Sequence, residues 1–124
     1  MSTIRVDNFG PSAGGTTYSA RGIAKAWVNF DGTGTIAARD SENVSSLTDN
    51  GTGDYTVNFT NAFGAADYAF SLASRNSTTV RTWTGLNPTA VLTASSLGFI
   101  TYLEASLSHA DSTVGCATIH GDLA

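Results

Sequence analysis

The chain has one cysteine, Cys116, one lysine, Lys25, and two prolines in 124 residues. A lone cysteine excludes an internal disulfide framework. The protein is therefore expected to be made in a reducing cytoplasm, or to owe its stability to something other than disulfides. Charge is also scarce: 13% of residues are Asp, Glu, Lys or Arg, about half the usual share. Six basic residues face ten acidic ones, a formal charge of −4. A nucleic-acid partner calls for a basic patch, and this sequence has none. No apolar run approaches the roughly 18 residues of a membrane-spanning helix, so no membrane insertion is expected. The opening Met1-Ser2-Thr3-Ile4-Arg5-Val6-Asp7 lacks the apolar centre of a secretory signal.

Small polar residues fill the gap. The sequence contains 14 Ser, 18 Thr, 13 Gly and 8 Asn. That composition disfavours a helical bundle, which is built from Ala, Leu, Glu and Lys. Disorder is disfavoured too, because 41% of residues are hydrophobic and the net charge is small. The length suits one domain that buries about two-thirds of its unfolded surface.

Apolar residues alternate with polar ones. Ala26, Val28 and Phe30 oppose Trp27 and Asn29. Tyr55, Val57 and Phe59 oppose Thr56, Asn58 and Thr60, the clearest period of two in the chain. Tyr68, Phe70 and Leu72 oppose Ala69, Ser71 and Ala73. Weaker strands are expected at Ile4–Val6, 35–39, 44–48, 79–84 and 113–120, while 90–94 is ambiguous. Asp31-Gly32-Thr33-Gly34 and Asp49-Asn50-Gly51-Thr52-Gly53 lie between such runs. Asp-Gly there signals a hairpin, because glycine accepts the positive φ of tight turns. Asn76-Ser77 reads as another turn. Residues 97–107 are in conflict: Leu97, Ile100, Leu103 and Leu107 fit a helix face, but Phe99, Ile100, Thr101 and Tyr102 favour a strand. The strand reading is preferred, at about 98–104. The whole is expected to be all-β: an antiparallel β-sandwich or jelly-roll-like domain over 21–124. Phe9-Gly10-Pro11 and Gly14-Gly15 set it apart from an extended leader over 1–20.

No catalytic, metal or cofactor site is expected. Cys116 and His120 are four residues apart, about 13 Å on a strand, too far for a nucleophile and its base. No Gly-x-Ser-x-Gly elbow is present. The oxygen-rich 49–54 segment lacks the closing Glu of a calcium loop. His109-Ala110-Asp111 and His120-Gly121-Asp122 repeat a spacing that offers too few ligands in one chain, although a three-fold axis would gather six groups from each pair. Gly32-Thr33-Gly34 and Gly51-Thr52-Gly53 open no helix and carry no following Lys, so they are not phosphate loops. Trp27 and Trp83 fall opposite core-like neighbours. They suit a second core face, an oligomer interface or a platform for stacking a sugar.

Two long stretches carry a resemblance. Ala24-Lys25-Ala26-Trp27-Val28-Asn29-Phe30-Asp31-Gly32-Thr33-Gly34-Thr35 is one. Asn43-Val44-Ser45-Ser46-Leu47-Thr48-Asp49-Asn50-Gly51-Thr52-Gly53-Asp54-Tyr55-Thr56-Val57-Asn58-Phe59-Thr60 is the other. Together they resemble small tail-fibre proteins of tailed bacteriophages, common among marine phages. Ser2 to Asp7 is similar to the leader of many such proteins, and Val114 to Ile119 more loosely to their terminal strand. Where these families often carry Met-Pro, this chain has Ala62-Phe63-Gly64-Ala65. The resemblance is strong over 24–60 and weak over 61–112. It implies a trimeric virion protein in the tail or fibre, made in the bacterial host cytoplasm, without enzymatic activity. Its partners would be two further copies, other tail or baseplate proteins, and a host surface glycan or outer-membrane protein. Asn76, Arg81, Trp83 and Tyr102 are the residues expected to meet the receptor. Ile4, Val6 and Phe9 are expected to attach the leader to the particle. The alternative is a purely structural virion protein (head fibre, decoration or baseplate component).

Overall fold

A computed structural model describes residues 2–10, 12–76, 81–89 and 92–124. Its strands are β1 (Asn8–Phe9), β2 (Tyr18–Ser19), β3 (Ala26–Asp31), β4 (Ala37–Glu42), β5 (Val44–Gly51), β6 (Asp54–Phe59), β7 (Ala69–Arg75), β8 (Thr82–Leu86), β9 (Ser96–Leu103) and β10 (Val114–His120). The sole helical element among the described residues is a 3-10 turn at Ala20–Gly22, capped by the Ser19 hydroxyl, which accepts from the Arg21 amide. None of their helices is long and apolar enough to cross a membrane.

Two antiparallel four-stranded sheets form the body, β4-β3-β10-β7 and β5-β6-β9-β8. The alternation read in the sequence sets their inner faces. Ala26, Val28 and Phe30 of β3 and Tyr55, Val57 and Phe59 of β6 are buried, while the residues between them are half-buried. The inner faces meet in an aromatic core. The Phe30 ring stands edge-on to Tyr55 at 5.1 Å and to Phe99 at 5.9 Å. A second cluster joins Phe59, Phe63 and Tyr68, with centroids 4.8 to 5.7 Å apart. Edge-to-face pairs of this kind stabilise beyond the area they bury.

One glycine makes room for this core. Gly115 lies opposite Phe30 in the β10–β3 register. An added Cβ there would sit 2.9 Å from Phe30 Cε2 and nearer still to Cζ and Cε1.

Both turn segments, Asp31–Gly34 and Asp49–Gly53, form the expected hairpins. The Asp31 carboxylate accepts from the Thr33 amide at 3.0 Å and its hydroxyl at 2.6 Å, and Asp49 accepts from the Gly51 amide at 3.0 Å. The Thr33 bonds hold the Asp31 carboxyl below its ordinary range. Asn43 carries the chain from one sheet to the other with φ of 54°, a conformation asparagine tolerates better than most residues. Its side chain both donates to and accepts from the backbone of Asn61. On the opposite side of the sandwich, Ser74 of β7 bonds the hydroxyls of Thr82 and Thr84 of β8, which ties the two edge strands together.

Several sequence expectations change. No strand forms at Ile4–Val6. The first strand is Asn8–Phe9, paired with Tyr18–Ser19, so the leader closes on itself as a short ribbon and is not simply extended. The preferred strand over 98–104 does form, as Ser96–Leu103, with Leu97 and Phe99 paired across to Val57 and Tyr55. Of the readings open for Trp27, the structure shows it half-buried between Glu42 and Thr118, its cross-strand neighbours. The expected turn at Ser77, the strand start at Thr79 with Val80, and the ambiguous Ala90 and Val91 lie outside the described residues. So does Pro11.

Candidate functional site

The outer face of the β5-β6-β9-β8 sheet carries the candidate site. Leu97, Phe99 and Thr101 of β9 point into the core, so Ile100 and Tyr102 point outward. Trp83 pairs directly with Tyr102, and Gly85 with Ile100, so these four share that face. Directly opposed residues have Cβ atoms about 5 Å apart. Trp83 remains 62% exposed. His109 folds back beside Tyr102 through an isolated bridge, its ring edge-on at 4.8 Å.

One step along, Arg81 extends the β8 register. Its carbonyl accepts from the Glu104 amide at 2.9 Å. The side chains of Arg81 and Glu104 stand 3.8 Å apart and are 83% and 42% exposed. That separation is too long for a hydrogen bond. Among the other cations, Arg39 donates to Asn29, Phe30, Asp31 and Thr113, Arg21 pairs with Asp122, and Lys25 donates to the Ala20 carbonyl. Arg81 is thus a loosely held cation on the aromatic face.

The loop between Leu103 and His109 adds one more feature. Its tip residue, Leu107, is 79% exposed and has φ of 51°. A left-handed conformation costs a branched residue about 1–2 kcal/mol, and an exposed leucine returns none of that through burial.

Of the expected receptor residues, Trp83, Tyr102 and Arg81 come together on this ledge. Asn76 does not join them. It follows β7 of the other sheet, and its Nδ2 donates to the Asp111 carbonyl at 3.1 Å. Glu104, His109 and Gly85 complete the ledge without having been singled out for it in the sequence. The pairing of β8 with β9 aligns Gly85 and Glu104, the loop after β9 returns His109 through its bridge to Tyr102, and no short-range pattern encodes either.

The expected attachment residues are exposed: Ile4, Val6 and Phe9 all reach solvent. Phe9 packs obliquely on Tyr18 at 6.1 Å. Val6 also lines a cleft of about 620 Å³ with Arg21, Lys25, Asp122 and Leu123. The Arg21 guanidinium grips both Asp122 oxygens there, and the Asp7 carbonyl accepts from the Ala20 amide.

The remaining candidates fall apart or serve the fold. His109 and Asp111 precede β10, while His120 ends it and Asp122 follows, so the two pairs lie about 23 Å apart along a seven-residue strand. Asp111 accepts from the Gly53 amide at 2.8 Å and lies 3.3 Å from the Tyr55 hydroxyl. Burial pushes Tyr55 up to about 12, and Tyr68 likewise. Cys116 is half-buried on β10. Among the described residues, no three His, Cys, Asp or Glu side chains gather to hold a metal.

No family model, curated protein or solved structure matches this chain. The functional reading therefore rests on the ledge, the leader and the sequence resemblance.

Proposed function

We propose that this protein is a virion component of tail-fibre type, a homotrimer that attaches a phage to its host without chemical catalysis. The observation that carries the reading is the ledge: an exposed Trp83 held beside Tyr102, with the Arg81–Glu104 pair at its rim. Exposed aromatic residues with polar neighbours suit a flat, partly polar surface ligand. A host glycan is one such ligand, and a loop of an outer-membrane protein is another. Each single ledge would bind weakly. Three per trimer, and several trimers per particle, would raise the effective affinity by avidity.

The leader fits the second half of the reading. Ile4, Val6 and Phe9 offer apolar surface at the other end of the functional division, where the particle's tail or baseplate would cover it. The alternative, a purely structural virion protein, draws its support from the same exposed leader and gives the ledge no role. Purified protein decides between them. The attachment reading expects labelled protein to bind host cells, and Trp83→Ala to lose that binding while keeping its β spectrum. Equal binding by the wild type and the variant, or none by either, refutes the ledge as the attachment surface.

A further inference from the structure

We infer that the Trp83 ledge is a subsite for one neutral pyranose bearing two adjacent hydroxyls. This rests on the attachment reading above and narrows its ligand.

Trp83 supplies the flat apolar surface on which the C–H face of a sugar ring stacks. Its neighbours on the same face of β8 are Arg81, two residues before, and Gly85, two after. Gly85 leaves the space beside the indole empty: a Cβ there would meet nothing within 4 Å. Ile100, paired with Gly85, is only 3% exposed, so the protein itself already covers it and it offers the ligand no surface. A ring resting on Trp83 therefore has open room on one side and the Arg81–Glu104 pair on the other.

That pair selects the polar edge. Guanidinium donors and carboxylate acceptors lie 3.8 Å apart without bonding each other, and both reach solvent. Each sugar hydroxyl both donates and accepts. Of two adjacent hydroxyls, one can accept from Arg81 while the other donates to Glu104. A neutral diol completes both partners and leaves the local charge balanced. A carboxylated sugar would bring a third charge against Glu104, on a chain that already carries −4. Neutral sugars are thus favoured over uronates.

The test uses the purified full chain and three soluble probes: a neutral hexopyranose oligomer, its uronate counterpart, and a monodeoxy counterpart lacking one hydroxyl of the adjacent pair. Binding is read by calorimetry at low and high salt. The neutral oligomer should bind with little salt dependence; the deoxy form should bind at least about five-fold more weakly, since one lost hydrogen bond to a charged group is worth that much or more, and the uronate should bind more weakly because its carboxylate is repelled by Glu104. Trp83→Ala should lower affinity by about ten-fold or more, the usual weight of a stacking ring. Gly85→Leu should block the site while leaving the circular dichroism unchanged. Glu104→Gln should weaken the neutral oligomer several-fold. Tighter, salt-sensitive binding of the uronate would overturn the neutral assignment. Sugar binding indifferent to Trp83→Ala or Gly85→Leu would place the sugar elsewhere and overturn it too. If Trp83→Ala abolishes cell attachment but no probe binds, the ledge reads a protein: this inference fails and the attachment reading stands. If cell attachment ignores Trp83→Ala, the attachment reading itself fails.

Discussion

Replacing Gly115 with alanine adds a single methyl group where the core has no space for one. The new Cβ would sit 2.9 Å from Phe30 Cε2 and nearer to two other ring carbons. Phe30 is fully buried, with Tyr55 and Phe99 edge-on within 6 Å of its centroid. The ring cannot swing aside without disturbing both contacts. Overpacking of this kind costs about 1–3 kcal/mol, and each disturbed ring pair about 0.5–1.5 kcal/mol. Alanine returns about 0.5–1 kcal/mol by restricting the unfolded chain more than glycine does. The net expectation is a loss of about 3 kcal/mol, a large share of the roughly 5–15 kcal/mol that holds a domain folded. In urea, with a slope of about 1.5 kcal/mol per M, the midpoint should fall by about 2 M at unchanged slope. Shrinking the ring should relieve the clash, so Gly115→Ala combined with Phe30→Leu should be more stable than the two single losses predict. Gly85→Ala, where the methyl meets nothing, is the control and should match the wild type or gain up to about 1 kcal/mol. A Gly115→Ala midpoint matching that control, or an additive double mutant, would refute the packing account.

Tyr55→Phe should cost about 1–3 kcal/mol, because the Ser112 amide, which donates to the Tyr55 hydroxyl at 3.1 Å, would be left buried without its partner; an unshifted midpoint contradicts this. Because Tyr55 and Tyr68 are raised to about 12 while unfolded tyrosine ionises near 10, the folded state binds more protons between those values. Stability should therefore be insensitive to these groups below pH 10 and fall from about pH 10 to 12, measured as urea midpoints, and a flat profile there would show that the two hydroxyls are not desolvated. Deleting residues 2–15 should leave a folded sandwich, since Arg21–Asp122 and both sheets remain; the same deletion should abolish incorporation into particles, and loss of the β spectrum would assign the leader to the core.

The fold was legible wherever one face of a strand is apolar. Ala26-Val28-Phe30 and Tyr55-Val57-Phe59 declare their inward side, and the turn segments Asp31–Gly34 and Asp49–Gly53 fix two hairpins. Local signals failed where long-range pairing decides. At 97–107 the local signals only conflict: the strand-favouring Phe99, Ile100, Thr101 and Tyr102 decide correctly against the helix-like leucine spacing, and Leu97 and Phe99 face Val57 and Tyr55 across the sheet. Ile4 and Val6 alternate as a strand should, but no strand pairs with them, and alternation without a partner makes no strand. Phe63 lies in the Ala62–Ala65 stretch that departs from the resemblance, and no core role is expected of it from the sequence. It is a core residue, edge-on to Phe59 at 5.0 Å, and its backbone bridges to Leu123. The ledge was half legible: Trp83, Arg81 and Tyr102 stood out as types, but only the β8–β9 register brings Glu104 opposite Arg81, and only the return of the 103–109 loop sets His109 against Tyr102.

The outer faces also show why Trp83 is better explained by binding than by folding. Elsewhere on the surface of this sheet, small polar side chains bond across strands: Asn58 to Ser46 and Thr48, and Asn50 to Thr56. A sheet built this way needs no large ring outside. Trp27, the other candidate, is half-buried and contributes to its sheet. Trp83 stays 62% exposed, so its apolar surface gains little from folding and remains in contact with water. Removing it should then separate two quantities that move together for a core aromatic. Trp83→Ala should change the urea midpoint by no more than about 0.5 kcal/mol equivalent, the range for surface substitutions, while Phe30→Ala should cost about 3–5 kcal/mol. Only the first should cost attachment without costing stability. If Trp83→Ala instead destabilises the fold as a buried ring would, the ledge is a structural part of the sheet and its binding role falls with it.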